Sequence, residues 1–299
     1  MKKTPITIIT GYLGAGKTTL LRRILREPEK KLAIIMNEFG EIGIDTKIIR
    51  GKNVKIKELA GGCVCCSLTG EFEAGIKEII SRYKPEWIIV ETTGVAEPDA
   101  IVFDIEKNLP QVRLDSVITV VDSDSMIRFP SLGHTGRIQI EMADLILLNK
   151  VDLITTNQLK EVQELVKSIN QKAQILYTTK CNIEPRLLFG IETEKKVTKK
   201  EKEHLKKEGI QYFSFSTDEK VSLKKIEKVL RNLPPEIYRA KGFLKTENKN
   251  FLFNYVAGRF NFEPFETKKT ELVFLGKKIS KFKKDIILEI NKCIIHKFN

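Results

Sequence analysis

A short β-branched run at residues 6–9 leads directly into Gly11-Tyr12-Leu13-Gly14-Ala15-Gly16-Lys17-Thr18-Thr19, and a helical apolar pattern follows over 18–26. No other stretch restricts the fold as much. A G-x-x-x-x-G-K-T string between a strand and a helix calls for a buried strand whose C-terminal end opens on a helix N-terminus. The glycines let the backbone curl so that successive N–H groups face one point, where the helix adds its positive dipole end. That point suits phosphate. On this reading Gly11, Gly14, Ala15, Gly16 and Thr19 cradle the phosphates of a nucleotide. Lys17 reaches the β- and γ-phosphates, and the Thr18 hydroxyl ligates Mg²⁺.

The following chain keeps the same alternation. Runs at 32–36, 87–90, 117–121 and 145–148 are short and mostly β-branched or leucine, as buried parallel strands are. Helical periodicity is clear over 70–83 and 157–170, where Leu159, Val162, Leu165, Val166 and Ile169 share one stripe. The pattern predicts an α/β domain over 1–190, a doubly wound and mostly parallel sheet with helices on both faces. Residues 191–207 are rich in Lys and Glu and read as a charged linker or exposed helix. Beyond them the pattern runs strand 211–216, helix 222–232, strands near 241–246, 251–257 and 271–275, and helix 280–291. That predicts a small α+β domain over 208–299, and no internal repeat is visible.

The run at 87–90 ends in Glu91-Thr92-Thr93-Gly94, an acid-x-x-Gly arrangement at a strand end. Glu91 could hold Mg²⁺ through water, and the Gly94 N–H could meet a γ-phosphate, so that hydrolysis releases 92–98. The run at 145–148 ends in Asn149-Lys150-Val151-Asp152. Asp152 can accept from both N1–H and the 2-amino group of guanine, and adenine offers neither. A site built on such hydrogen bonds rejects the wrong partner by on the order of 10⁴-fold. The expected ligands are therefore GTP and GDP, with Thr178-Thr179-Lys180 as a loop against the base. No side chain is an obvious general base, so water attacks and intrinsic turnover is expected to be slow.

A second chemistry lies between these motifs, at Cys63-Val64-Cys65-Cys66. Soft thiolates select zinc, cuprous copper or iron–sulfur clusters, and zinc takes four tetrahedral ligands. Only three are offered here. Cys181 and Cys293 stand alone in sequence, and His134 is far along the chain. Glu38, Glu58, water or a partner's side chain could complete the set. An incomplete shell suits a metal that must leave, whereas a structural zinc site is closed. Adjacent low-pKa thiols can also exchange disulfides, although an isolated Cys-x-x-Cys pair is lacking.

The chain carries 52 Lys+Arg against 39 Asp+Glu. Up to Gly190 the counts are 26 and 24, and from Ile191 onward they are 26 and 15, so the excess is C-terminal. A basic domain can bind nucleic acid or an acidic protein. Lys/Glu-rich segments are more often a solvated face, and the aromatics there form no RNA-binding signature, which disfavours nucleic acid. Five cysteines, three of them clustered, do not make the framework of a secreted domain, so a reducing, cytoplasmic setting is expected. Met1-Lys2-Lys3 precedes too short an apolar run for a signal peptide, and no run approaches the roughly 18 residues that span a bilayer. Oligomeric state stays open, dimerisation included.

These motifs in this order resemble the CobW-like group of P-loop GTPases. The likeness extends to Asn37-Glu38-Phe39-Gly40-Glu41-Ile42-Gly43-Ile44-Asp45, to Gly94-Val95-Ala96-Glu97-Pro98, and to Val120-Val121-Asp122. In the C-terminal region it takes in Arg239-Ala240-Lys241-Gly242 and Leu272-Val273-Phe274-Leu275-Gly276. The resemblance implies a GTPase whose first switch carries Asn37, Glu38, Gly40 and Asp45, with the cysteine motif close by. It further implies a metallochaperone that delivers Zn²⁺, or Co²⁺, to a client metalloprotein. Met36 stands where some relatives place an acidic residue, so no carboxylate ligand is expected from that position. An extension before the first strand, of the kind with which eukaryotic zinc transferases dock their client, is not expected, and no histidine-rich tract suggests bulk storage. A rival reading keeps zinc structural and makes the chain a GTP-gated regulator whose basic C-terminal domain binds nucleic acid or an acidic partner.

Overall fold

Strands that run as uninterrupted apolar segments must be covered on both faces, and this organises the first part of the chain. The computed structural model describes residues 3–26, 30–36, 54–58, 69–189, 210–256 and 258–295. Asn37, Glu38, Gly40, Asp45, Cys63, Cys65, Cys66 and the linker 191–207 lie outside the described residues. Two compact units are present, Met1–Asn182 and Ile183–Asn299.

In the first unit seven parallel strands form one sheet. They are β1 (Thr4–Thr10), β2 (Leu32–Met36), β3 (Val54–Glu58), β4 (Trp87–Glu91), β5 (Val112–Asp122), β6 (Leu145–Asn149) and β7 (Gln174–Thr178), in spatial order β3-β2-β4-β1-β5-β6-β7. Every residue of β2, β4 and β6 is buried, as their composition requires. The helices are α1 (Lys17–Arg26), α2 (Thr69–Tyr83), α3 (Pro98–Lys107), α4 (Ser123–Arg128), α5 (Gly133–Glu141) and α6 (Thr156–Ile169). One apolar cluster joins Phe72 and Ile76 of α2 and Ile101 and Ile105 of α3 to the sheet. Another joins Met126, Ile140, Val162 and Val166 from α4, α5 and α6 to Ile146 and Leu148. Because all seven strands run the same way, Thr10, Glu91, Asp122 and Asn149 end at one edge of the sheet, where α/β folds bind ligands.

In the second unit α7 (Pro185–Phe189) precedes an antiparallel sheet. Its strands are β8 (Ile210–Thr217), β9 (Ile237–Leu244), β10 (Phe251–Val256), β11 (Arg259–Pro264) and β12 (Thr270–Lys277), in order β11-β10-β9-β12-β8. Helices α8 (Leu223–Arg231) and α9 (Lys283–Asn291) place Ile226, Leu230, Ile286 and Ile290 against Phe213, Phe253 and Phe274 of the sheet. The buried Arg239 guanidinium donates to the Leu188 carbonyl, which fastens α7 to β9. Among the described residues no helix is long and apolar enough to cross a membrane.

Candidate nucleotide site

The loop between β1 and α1 takes its shape from positions where a side chain has no room. Gly11 has φ +136°, and a Cβ there would lie 2.1 Å from the Val120 carbonyl oxygen. Gly16 has φ +117°, and a Cβ there would meet Asn149 Nδ2 at 2.6 Å. Backbone at these two points is therefore pressed against β5 and against the end of β6. The Ala15 N–H turns back to the Tyr12 carbonyl at 3.2 Å, and α1 begins with Leu20 N–H on Gly16 O at 2.9 Å. Lys17 is buried, and its ammonium donates to the carbonyls of Gly11 at 2.8 Å and Tyr12 at 3.3 Å, inside the curve of the loop. Leu20, Leu21, Ile24 and Leu25 form the face of α1 that the sheet covers.

At the second residue of the helix, the Thr18 hydroxyl donates to Glu91 Oε1 at 3.3 Å. Glu91 is mostly buried at the end of β4. A hydroxyl and a carboxylate side by side beside a phosphate loop are hard oxygen donors of the kind Mg²⁺ takes. Thr18 and Glu91, 73 positions apart, are thus brought together as expected, and Gly94 follows in the same loop.

Asn149 does more structural work than its motif suggested. It is 2% exposed. Its Nδ2 donates to the Ala15 carbonyl at 2.8 Å, and its Oδ1 accepts from Cys181 N–H at 2.9 Å and Thr178 Oγ1 at 3.1 Å. One side chain ties the phosphate loop to the loop after β7. Arg23 of α1 adds bonds to the Lys180 carbonyl at 2.7 Å and to Asn182 Oδ1 at 2.9 Å. Asp152 stands exposed in a short 3₁₀ turn, Val151–Leu153, free to face a base.

Two residues belong to this site although motif reading left them aside. Cys181 is fully buried, with Sγ 3.3 Å from the Gly16 carbonyl oxygen. Burial pushes its thiol up to about 12, against the opposing charges of Arg23 and Lys150, so it stays a neutral S–H. Asp122, at the end of β5, caps α4 by accepting from Ser125 N–H at 3.0 Å and pairs with Lys150 Nζ at 2.6 Å. Burial works to raise its carboxyl, but the Lys150 hydrogen bond, the Ser125 N–H and the Lys150 charge together leave it below the usual carboxylate range. Its only sequence signal was the resemblance at Val120-Val121-Asp122. Lys150 itself sits in the left-handed region, φ +61°.

Next to the phosphate loop opens a cavity of about 650 Å³, lined by Leu13, Val95, Asp122, Phe129 and Gln139 among others. Tyr12, Leu13, Val95 and Phe129 at its rim are all more than half exposed. Among the described residues no group of three or more His, Cys, Asp or Glu could hold a metal ion. Met36, the last residue of β2, lies between Glu58 of β3 and Glu91 of β4 in the sheet register. The segments that lead to Asn37 and to the cysteine motif therefore start from adjacent strand ends, next to the strand that carries Glu91.

Fold and site together define a P-loop GTPase. The chain belongs to the CobW family: the CobW/HypB/UreG nucleotide-binding domain matches residues 5–177, and the cobalamin synthesis protein CobW C-terminal domain matches residues 210–294. It is 32% identical over 264 residues to the zinc chaperone YjiA of Escherichia coli, covering 82% of each chain. It is 32% identical over 222 residues to the zinc chaperone CobW of a Sinorhizobium species, covering 63% of each. To the zinc-regulated GTPase metalloprotein activator 1 of Schizosaccharomyces pombe it is 39% identical over 193 residues, 58% of this chain and 46% of that one.

Proposed function

We propose that this chain hydrolyses GTP and couples that cycle to holding a zinc ion at Cys63, Cys65 and Cys66 and releasing it to a client metalloprotein. The observation that carries the reading is the adjacency of Met36, Glu58 and Glu91 across β2, β3 and β4. Cys63 lies five Cα–Cα steps after Glu58, a covalent reach of at most about 18 Å. The cargo motif thus follows the end of β3, which β2 alone separates from the β4 end that serves Mg²⁺. Relatives named as zinc chaperones, one of them matched over 82% of its length, support zinc as the metal.

In this cycle Lys17 and the N–H groups of Gly14 to Thr19 neutralise and orient the phosphates, Thr18 and Glu91 serve Mg²⁺, and Gly94 registers the γ-phosphate. Asp152 selects guanine. Loss of the γ-phosphate frees the segment after Glu91, and the neighbouring strand ends feel the change. Coupling energies between sites run to about 1–3 kcal/mol, a factor of roughly 5–150 in metal affinity. That biases transfer, and a client with its own zinc site completes it. GTP turnover with and without zinc, in the wild type and in Cys65→Ser/Cys66→Ser, is the test. Zinc should change the wild-type rate and not the variant's, and the variant should bind zinc more weakly. Identical rates with unchanged zinc affinity would end the proposal.

A further inference from the structure

Gln139 is a buried amide on α5 that spends its donors on another element. It is 1% exposed. Its Nε2 donates to the carbonyls of Gly94 at 3.2 Å and Ala96 at 3.0 Å. Its own carbonyl accepts from Thr119 Oγ1 at 2.6 Å, so α5 is fastened to β5 at the same residue. Along α5 the buried positions are Gly136, Gln139 and Ile140, a core-facing stripe where an apolar side chain is the ordinary choice. An amide there is costly unless its N–H groups find acceptors. The acceptors it finds are the two carbonyls that flank Val95, in the loop after Glu91.

The start of that loop is pinned elsewhere. Thr92 donates its N–H to Ile9 O at 3.0 Å and its hydroxyl to Thr10 Oγ1 at 2.8 Å, both on β1. Ala96 N–H closes a turn on Thr93 O at 3.2 Å. Glu97 Oε1 accepts from Thr135 Oγ1 at 3.4 Å, a second link to α5. Between these anchors a Cβ on Gly94 would lie 2.6 Å from Leu13 N, so the loop rests directly on the phosphate loop.

We infer that Gln139 is a positioning residue for the nucleotide switch: by holding the Gly94 and Ala96 carbonyls it sets the orientation in which the Gly94 N–H meets the γ-phosphate. The inference rests on the reading of Gly94 as the γ-phosphate sensor. GDP has no γ-phosphate, so its binding is indifferent to that orientation. A Gln139 that only satisfied buried carbonyls would matter equally for both nucleotides.

Gln139→Met keeps the length and approximate volume of the side chain and removes both donors. Affinities of the full chain for GDP and for a non-hydrolysable GTP analogue with Mg²⁺, kcat and KM for GTP, and a melting curve are measured together. GDP affinity should hold, while the preference for the analogue over GDP drops by a factor of about 5 to 150 and kcat falls. Equal losses for both nucleotides, or no loss for either, would overturn the assignment. Gly94→Ala separates the two layers of the argument. If it leaves the preference intact, the sensor reading itself fails. If it abolishes the preference and Gln139→Met does not, only the role of Gln139 fails. Should Gln139→Met not fold, hydrogen exchange on the wild type decides. Protection that rises over 92–98 and 136–141 together, when the analogue replaces GDP, supports the link, and protection confined to 92–98 refutes it.

Discussion

Replacing Asn149 by alanine should lower the melting temperature of the nucleotide-binding unit as well as its nucleotide affinity, because the residue is a brace before it is anything else. The substitution strands the Ala15 carbonyl, the Cys181 N–H and the Thr178 hydroxyl, all on residues no more than 4% exposed. At about 1 kcal/mol net per hydrogen bond the loss is ~3 kcal/mol, and more if the stranded groups find no water. For a unit of this size, Met1–Asn182, each kcal/mol lowers the midpoint by roughly 2–4 °C, so a fall of about 6–12 °C is expected. Differential scanning calorimetry on the nucleotide-free chain measures it, with GDP and GTP titrations alongside. Both nucleotides should weaken together, since the brace sets the loops on either side of the site. Asp152→Ala is the counterpart. Exposed in its 3₁₀ turn, it should leave the melt unchanged while the discrimination of GTP over ATP falls, by up to about 10⁴-fold. An Asn149→Ala variant that melts like the wild type yet loses guanine nucleotides would refute the reasoning and make Asn149 a direct ligand.

Three further outcomes follow from the same geometry. Gly11→Ala should abolish nucleotide binding and destabilise the chain far more than Gly14→Ala. Both have positive φ, but a Cβ meets the Val120 carbonyl at 2.1 Å in the first and nothing within 4 Å in the second, which melting curves will separate. Lys150→Met should let burial lift the Asp122 carboxyl, observed by NMR titration. A lowered folded pKa gives stability present above the unfolded value near 3.8 and lost as pH falls through the folded one, so the variant's acid limb should be shallower. Cys181, with its thiol pushed up to about 12, should resist alkylation in the folded chain at neutral pH. A raised folded pKa gives stability that is whole below the unfolded value of 9.0 and declines as pH rises toward 12, a decline that Cys181→Ala should remove.

The parts of the site legible in the sequence were those where one residue type is the only solution. The glycines at 11 and 16, Lys17 and Thr18 could be placed from strand–loop–helix context and Glu91 from an acid-x-x-Gly at a strand end, and the fold sets the Thr18 hydroxyl beside the Glu91 carboxylate. Asp122 and Cys181 were not legible in that way. An aspartate that ends a strand or a lone cysteine has many ordinary explanations, and only the fold shows that one pairs with Lys150 and the other seals the loop at Gly16. Gln139 was silent for the same reason. Its partners are backbone carbonyls more than forty positions away, and no side-chain pattern encodes them. In the second unit β11 escaped notice because Arg259-Phe260-Asn261-Phe262-Glu263-Pro264 alternates around charge and ends in proline, as an edge strand does.

Of the two strands missed in the first unit, β3 and β7, β3 bears directly on function. Val54-Lys55-Ile56-Lys57-Glu58 lacks the continuous apolar run of its neighbours because β3 is the edge of the sheet, paired only with β2. An edge strand needs no second covered flank, so lysine at alternate positions is tolerated and discourages pairing with another chain. Lys57 reaches Glu78 on α2, and the hydrogen bond and charge of Lys57 hold that carboxyl below its ordinary range. An edge strand is also where local opening costs least, since one ladder and few buried side chains hold it. Under the proposed function the cysteine motif follows this strand rather than one of the fully buried ones. A cargo site attached there can change its geometry with the nucleotide at the expense of one edge, while β1, β4 and β5, which hold the phosphate loop, stay fixed. The arrangement predicts where the coupling can be cut. Lys57→Ala, which removes the link to α2, should leave GTP affinity unchanged and reduce the effect of zinc on turnover. An unaltered effect of zinc on turnover in that variant would place the coupling on the β2 side of the sheet instead.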